Sequence, residues 1–211
     1  MSTSDTQGFT DALVRWNERF AQPGYLFGLE PNAFLLRQSA RLRPGSRILC
    51  VADGEGRNST FLAAQGHAVS AFDLSPVAVE KARALAAQRG VEVDFNVAGT
   101  DTWEWAAERY DAVAAIFIQF AAPAERQALF AGMWRTLRHD GLLLIQGYTP
   151  RQLEYRTGGP GKLDHLYTAD LLRGLLPQAQ WLELTEHEAV LAEGSAHHGH
   201  SALIDAVARK G

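Results

Sequence analysis

The residues best placed to do chemistry lie in one run, Ile48-Leu49-Cys50-Val51-Ala52-Asp53-Gly54-Glu55-Gly56-Arg57-Asn58. It reads as an apolar strand passing through a tight turn into a helix. Glycine at 54 and 56 opens backbone conformations closed to other residues and lets a ligand approach the main chain. The helix that follows offers unpaired N–H groups, suited to a carboxylate or a phosphate. Such turns also occur as plain packing, so a second residue has to decide. Asp73, 17 residues beyond Gly56, ends the next apolar run. A carboxylate there can accept hydrogen bonds from both hydroxyls of a ribose. The alternative for Asp73 is a helix cap, but Ser75 fills that role. The two features together point to an adenosine-bearing ligand.

Spacing narrows the choice of ligand. Nicotinamide dinucleotide sites usually read Gly-x-Gly-x-x-Gly, whereas this chain has Ala52-x-Gly54-x-Gly56 followed by Arg57 and Asn58. No Gly-Lys-Ser/Thr occurs, so the phosphate-binding loop of nucleotide triphosphatases is absent. His197, His198 and His200 invite a metal reading. Neither a cysteine nor a paired carboxylate accompanies them, so no metal site is assigned. Their place in a terminal hairpin could instead bring one of them near a bound substrate.

Elements of alternating type must position these groups. The stretch 1–10 is polar and is expected to be disordered. Residues 11–42 read as a helical lid, with Trp16, Phe20, Phe34, Leu35 and Leu36 as apolar faces, a break at Gln22-Pro23-Gly24, and Pro31 in the first turn of a second helix. Residues 46–148 alternate strand and helix: strands at 47–52, 67–73, 91–97, 110–117 and 142–146, helices at 58–65, 76–89 and 123–137, and an Asp140-Gly141 turn before the fifth strand. Residues 149–211 carry a glycine-rich loop (Gly158-Gly159-Pro160-Gly161), a helix at 168–176, and strands at 181–191 and 201–207 joined by a hairpin loop over 193–199. The order predicts an α/β, Rossmann-like doubly wound sheet of about seven strands. It is mostly parallel, with a C-terminal antiparallel hairpin.

Composition bounds the class. The 211 residues suit one domain, and the formal charge of −4 argues against a dedicated nucleic-acid partner. Cys50 is the only cysteine, no apolar run is long enough for a bilayer, and the N-terminus lacks an apolar signal core. The expectation is one cytoplasmic domain over 1–211, with no membrane partner, acting as a monomer or weak homodimer.

The Gly54–Asn58 turn resembles the nucleotide-binding motif of class I methyltransferases that use S-adenosyl-L-methionine. More narrowly, the chain is similar to the tellurite-resistance and thiopurine methyltransferase-like branch. The matching features are Gly56-Arg57-Asn58 and the aromatic N-terminal segments Trp16-Asn17-Glu18-Arg19-Phe20 and Tyr25-Leu26-Phe27-Gly28-Leu29-Glu30-Pro31-Asn32. The resemblance covers the chain from about Trp16 to Lys210. It implies that Ala52, Asp53, Gly54, Gly56, Arg57 and Asn58 hold the amino-acid tail of the cofactor, and Asp73 and Leu74 its ribose. It also implies that Thr100 and Asp101, with Trp103, reach the adenine, and that Phe117 lies under the sulfonium. Plain core is the alternative for Phe117, and a half-buried surface helix for Trp103 and Trp105.

Two departures stand out. The family usually has an acid where this chain has Cys50 and a glycine where it has Ala52; Asp53 is expected to take part of the missing acid's role. An adenine-contacting acid of the family falls at Gly99, with Asp101 two residues on. The Asn/Asp-Pro-Pro-Tyr motif of many nucleic-acid amino-methylating enzymes is absent. The resemblance therefore implies a small-molecule acceptor, of a thiol, selenium, tellurium or halide-like class. Arg19, beside aromatics, would neutralise an anionic acceptor, unless it pairs with Glu18 or Asp11. Tyr148 or His165 would act as a base where one is needed, unless His165 is a plain exposed loop histidine. Open alternatives are a protein or small-amine methyltransferase of the same fold, a non-catalytic S-adenosylmethionine-binding protein and, more remotely, a nicotinamide oxidoreductase.

Overall fold

The computed structural model describes residues 3–211. The chain opens with helix α1 (Thr3–Phe20). The helix thus enters the stretch expected to be disordered; residues 1 and 2 lie outside the described residues. No proline intervenes before Pro23, and a lone glycine such as Gly8 costs a helix only about 1 kcal/mol. Helix α2 (Ala33–Gln38) is capped by Asn32, whose side chain accepts a bond from Leu35 N. Pro31 therefore lies outside the cap and not in the first turn, because the Asn32 carboxamide makes a better N-terminus. Leu36, expected in an apolar face, is exposed, while Phe34 and Leu35 are fully buried.

A seven-stranded sheet follows. Its strands are β1 (Arg47–Val51), β2 (Ala68–Asp73), β3 (Asp94–Val97), β4 (Tyr110–Ile116), β5 (Leu137–Tyr148), β6 (Gln180–Glu193) and β7 (His197–Arg209). They lie in the order β3-β2-β1-β4-β5-β7-β6. β1 to β5 are parallel, and β7 runs antiparallel to both β5 and β6. Between them come α3 (Arg57–Ala64), α4 (Pro76–Arg89), α5 (Pro123–Thr136), α6 (Gln152–Tyr155) and α7 (Ala169–Leu175).

The pleat sorts β1 onto two faces. Leu49 and Val51 join Phe72, Val113, Phe130, Met133 and Ile145 in one core, while Ile48 and Cys50 join Phe34, Leu35, Leu62, Val79 and Leu144 in the other. The Cys50 thiol is sealed in this second core, and burial raises its pKa well above the usual range.

Three boundaries differ from the sequence reading. β3 begins at Asp94, because its ladder partner is the last four residues of β2, Ser70 to Asp73. The expected Asp140-Gly141 turn sits inside β5, where Asp140 adopts φ 62° and the register with β4 jumps from Tyr110↔Leu137 to Ala112↔Leu142. The last hairpin is tighter than expected, since β6 runs to Glu193 and β7 starts at His197.

Glycine 56 has a packing duty. It caps α3 at φ 86°, and a Cβ there would lie 2.7 Å from Ala82 Cβ and 2.9 Å from Ala82 Cα. The glycine brings α3 against α4. Gly56→Ala is expected to lower the unfolding free energy by roughly 2–4 kcal/mol, from left-handed strain plus overpacking. Gly66, at φ 85° with nothing within 4 Å of its Cβ position, is the control, and Gly66→Ala should cost only about 1 kcal/mol. Urea denaturation of both variants checks this, and equal losses would contradict the packing role.

Candidate functional site

The carboxyl ends of β1 and β4 diverge at the point where the strand order reverses, which is where open α/β sheets bind ligands. The turn after β1 is built from left-handed residues: Ala52 at φ 48°, Gly54 at 62° and Gly56 at 86°. Ala52 takes this conformation without being glycine, and the main chain around it is pinned by Asp53 N to Phe72 O at 3.0 Å.

Asp73 ends β2 beside this turn and is 8% exposed. One carboxylate oxygen accepts Gly54 N at 2.9 Å and the other accepts Ser75 N at 2.9 Å. Each oxygen keeps a further lone pair, so two hydroxyls can still be bound. Ser75 also caps α4 through Ala78 N and donates to Asn17 Oδ1 of α1 at 2.5 Å. Leu74, half-buried, lies between the two. Asp53 turns its carboxylate to the Ser59 hydroxyl on α3.

Both acids are strained electrostatically. Burial raises Asp73 to about 6, with the two backbone N–H bonds opposing and Glu55 adding to the rise. Burial raises Asp53 to about 7; the Ser59 hydroxyl opposes the rise and the nearby Asp73 charge adds to it.

The lid lies over this turn. Phe20, at the end of α1, places its ring 3.5 Å from where a Gly54 Cβ would be. Glu55, not singled out from sequence, accepts Leu26 N at 2.7 Å and pairs with Lys81 at 2.9 Å. Lys81 in turn binds the carbonyls of Gln22 and Gly24 at 2.8 and 2.7 Å. The last hairpin holds the lid's other side, with Ser195 N donating to Leu26 O at 3.0 Å. A Cβ at Gly194 would collide with the backbone of Leu26, Phe27 and Gly28.

A buried polar chain joins lid, turn helix and hairpin. Arg57 Nη2 pairs with Glu193 Oε2 at 2.7 Å, with side chains 7% and 10% exposed. Asn32 Nδ2 donates to Glu193 Oε1 at 3.0 Å and to Gln146 Oε1 at 2.6 Å, while Asn32 N donates to Asn58 Oδ1 at 3.0 Å. Gln146 Nε2 continues to Asp205 Oδ1 at 2.6 Å, and Asp205 Oδ2 meets Arg37 at 2.7 Å. Glu193 carries no sequence signal of its own, and its pairing with Asn32, 161 residues away, is set only by the fold.

Around this chain sit the aromatic groups. Phe117 follows β4 at φ 56°, held by Phe117 N to Gln146 O at 2.8 Å. Its ring centroid is 4.8 Å from Tyr148 and 4.2 Å from His197. Arg19 stacks over Trp16 at 4.6 Å. Tyr148 is fully buried, and Gly159 must lack a side chain because a Cβ would lie 2.6 Å from the Tyr148 ring. Of the three hairpin histidines, His197 turns inward, whereas His200 pairs with Glu188 at 3.0 Å near the surface. Among the described residues, no group of three or more His, Cys, Asp or Glu is placed to hold a metal.

Several sequence-assigned residues lie apart from this cluster or differ from expectation. His165 is not an exposed loop residue: its side chain is 12% exposed, and its Nδ1 lies 3.2 Å from Gln119 O. Gln119 itself clamps the end of β5 and this loop, through Nε2 to Tyr148 O at 2.8 Å and to His165 O at 3.2 Å. The segment holding Thr100 and Asp101 forms turns, and Trp103 and Trp105 lie on no helix. Trp103 stacks on Phe72 at 4.5 Å, and Trp105 packs against Gly132 and donates to Thr100 O at 2.9 Å. Asp101 is exposed. The two indoles cover the sheet face between β2 and α5, which a surface helix would leave bare.

Comparison with known proteins bears on the fold and on the central segment of the chain. Residues 48–141 match the family model described as a methyltransferase domain. A ubiquinone biosynthesis O-methyltransferase of Xanthomonas axonopodis pv. citri is 36% identical over 114 residues, 52% of this chain and 46% of its own length. An uncharacterized protein of Mycobacterium tuberculosis strain H37Rv is 32% identical over 123 residues, 58% of this chain and 44% of its own. The chain thus spans less than half the length of these curated relatives. Among solved structures, one from work on conversion of a disulfide bond into a thioacetal group during echinomycin biosynthesis superposes with TM-score 0.74 at 22% identity, covering 95% of this chain and 90% of that one. N-methyltransferase NodS from Bradyrhizobium japonicum WM9, in complex with S-adenosyl-L-homocysteine, gives TM-score 0.70 at 14% identity, covering 94% and 97%. TehB from Haemophilus influenzae gives 0.69 at 14%, covering 85% and 62%. The chain has the Rossmann-like fold of class I methyltransferases.

The two raised carboxyls set a pH dependence. Asp73 and Asp53 titrate near 6 and 7 in the folded chain, against about 3.9 when unfolded. Between about pH 4 and pH 7 the folded state therefore holds protons that the unfolded state has released. Stability contributed by these groups is present at the acid end and lost as pH rises through that window. Asp53→Asn keeps an acceptor for Ser59 and removes the buried charge. It should melt higher than the parent at pH 8, with the gap closing by pH 5. A gap that stays constant across pH would refute the assignment of a buried charge to Asp53.

Proposed function

We propose that this protein transfers a methyl group from S-adenosyl-L-methionine to a small-molecule nucleophile. The observation that carries the reading is the Asp73 carboxylate, which is buried at the tip of β2, bonded to Gly54 N at 2.9 Å, and left with lone pairs for two hydroxyls. The match of residues 48–141 to the methyltransferase domain supports it.

S-adenosyl-L-methionine supplies a methyl group already activated on a sulfonium. Asp73 would grip the ribose hydroxyls beside Leu74. The turn of Ala52, Asp53, Gly54 and Gly56, with the start of α3 at Arg57 and Asn58, would receive the amino-acid tail. The ends of Thr100 and Asp101 would border the adenine, and Phe117 would face the reacting centre. The lid then excludes water from the cleft, and alignment of the nucleophile at about 3 Å supplies the rate gain.

Little acid–base chemistry is asked of the chain. Burial pushes the Tyr148 phenol far above its ordinary range, with the Glu193 charge adding to this. Tyr148 therefore serves as a hydrogen-bond donor and not as a base. His165, bound to the Gln119 carbonyl, has a positioning role in the loop, and Arg19 contributes positive charge from the lid. Among the described residues, no helix is long and apolar enough to cross a membrane. We place the protein in the cytoplasm, as one domain acting on a small acceptor rather than on nucleic acid, in a monomer or weak homodimer. The thiol, selenium or tellurium class of acceptor remains the family-based choice.

Titration calorimetry with S-adenosylmethionine, S-adenosylhomocysteine and NADH tests this. The first two should bind and NADH should not; the reverse order would sink the reading. Asp73→Ala should weaken S-adenosylhomocysteine binding more than tenfold, about 1.4 kcal/mol or more for lost charge-assisted bonds. Affinity in the parent should also fall as pH drops below about 6, as Asp73 gains its proton.

A further inference from the structure

Three buried side-chain atoms take no part in the polar chain, and the cofactor tail would be met by the main-chain N–H groups at the start of α3 rather than by them. Arg57 Nη1, Tyr148 Oη and His197 Nδ1 have no hydrogen-bond partner among the described residues. Their residues are 6%, 1% and 8% exposed. Buried polar groups are nearly always paired, and an unpaired one calls for an explanation such as a bound ligand. Here three of them share one neighbourhood. Arg57 Nη2 and His197 Nδ1 lie 2.7 and 4.0 Å from the same Glu193 oxygen. The His197 ring centroid is 5.8 Å from that of Tyr148, 4.6 Å from Phe27 and 4.2 Å from Phe117.

The charge of this neighbourhood is positive. Glu193 is already engaged by Arg57, by the Asn32 amide and by Ala33 N. Burial first, then the Arg57 and Arg19 charges, hold His197 down to about 3, so its ring is neutral in the working range. Arg57 and Arg19 stand against Glu193 and against Asp53, which Arg57 also faces. Burial holds Asp53 near a pKa of about 7, so it is partly protonated at neutral pH. The balance stays positive beside free donors. An ammonium ion is repelled there. A carboxylate or other small oxyanion finds the arginine and tyrosine donors it needs.

We propose that Arg57, Tyr148 and His197 form a subsite for an anionic group of the methyl acceptor, so that the protein selects small planar acids and rejects ammonium-bearing molecules of the same shape. The proposal rests on the preceding reading only in calling this ligand the methyl acceptor. The phenol of Tyr148 and the free N–H of Arg57 are the donors, and His197, with Phe27 and Phe117 packed against it, is a neutral wall.

The test uses benzoate, benzylammonium and benzyl alcohol as probes, titrated by calorimetry into the full chain with and without saturating S-adenosylhomocysteine. Benzoate should bind at least tenfold more tightly than either of the other two. Arg57→Ala is a poor probe because it would strand the Glu193 charge. Tyr148→Phe is the cleaner variant. It should reduce benzoate affinity about five- to tenfold while leaving the melting temperature and the S-adenosylhomocysteine dissociation constant unchanged, since the lost hydroxyl has no partner among the described residues. Arg19→Gln should weaken benzoate as well. Equal binding of benzoate and benzylammonium would overturn the subsite, as would a Tyr148→Phe variant that binds benzoate normally or melts several degrees lower. S-adenosylhomocysteine binding without benzoate selectivity removes the subsite alone. Benzoate selectivity without S-adenosylhomocysteine binding removes the cofactor reading and leaves the anion subsite standing.

Discussion

The Glu193 carboxylate at the end of β6 is the interaction on which the site depends. It is buried with Arg57 from the helix after the ligand turn and with Asn32 from the lid. A charge removed from water in this way is tolerable only with close, well-aligned partners, and removing one partner of such a pair typically costs 3–5 kcal/mol. That penalty forces three distant pieces of chain to meet in one register. Asn32 cannot cap α2, reach Gln146 and reach Glu193 unless the lid lies where it does. The same ion pair uses Arg57 Nη2 and leaves Nη1 buried without a partner among the described residues. The lid's placement and the cleft's chemistry thus follow from one satisfied charge.

A second constraint runs against stability. Asp73 and Asp53 are both held where their charged forms are disfavoured, and Phe117 and Ala52 occupy left-handed backbone that non-glycine residues avoid. All four lie at the carboxyl ends of β1, β2 and β4. Elsewhere the sheet is conventional, with apolar residues on both faces of its central strands. Glu108, Asp140 and Arg156 are also left-handed, but only at this rim does such backbone coincide with buried carboxylates, the pattern of a ligand site where fixed acids are worth more bound than empty.

The lid is anchored by buried Phe20, Phe34 and Leu35, while its loop over 22–28 is held by glycine and lysine–carbonyl contacts. Gly194 meets the backbone of Phe27 and Gly28 without side chains intervening, and Lys81 gathers two lid carbonyls and Glu55. Bonds of this kind are individually modest in water and can exchange with solvent. They suit a cover that must open for exchange of ligand, whereas the Arg57–Glu193–Asn32 chain beneath is too buried to do so at low cost.

Much of this was legible in the residues. Alternating apolar runs set strand and helix, because periods of 2 and 3.6 leave different imprints. Pro76 and Gly90 bounded α4 where the structure has it. The glycine turn and Asp73 marked the ligand end of β1 and β2, because tight turns and terminal acids are local features. What the residues could not show was decided by contacts across the chain. The packing duty of Gly56 was not visible, because Ala82 arrives from another helix. The stack of Trp103 on Phe72 was likewise not legible along the chain. Glu193 has no local pattern to reveal it, and although Asn32 and His197 stand in segments the sequence singled out, their contacts exist only once β7 inserts between β5 and β6 and carries the hairpin back over the lid. Local sequence determines where the chain bends and which faces are apolar. Only the folded packing decides which buried charges meet, because that depends on distances that no spacing along the chain encodes.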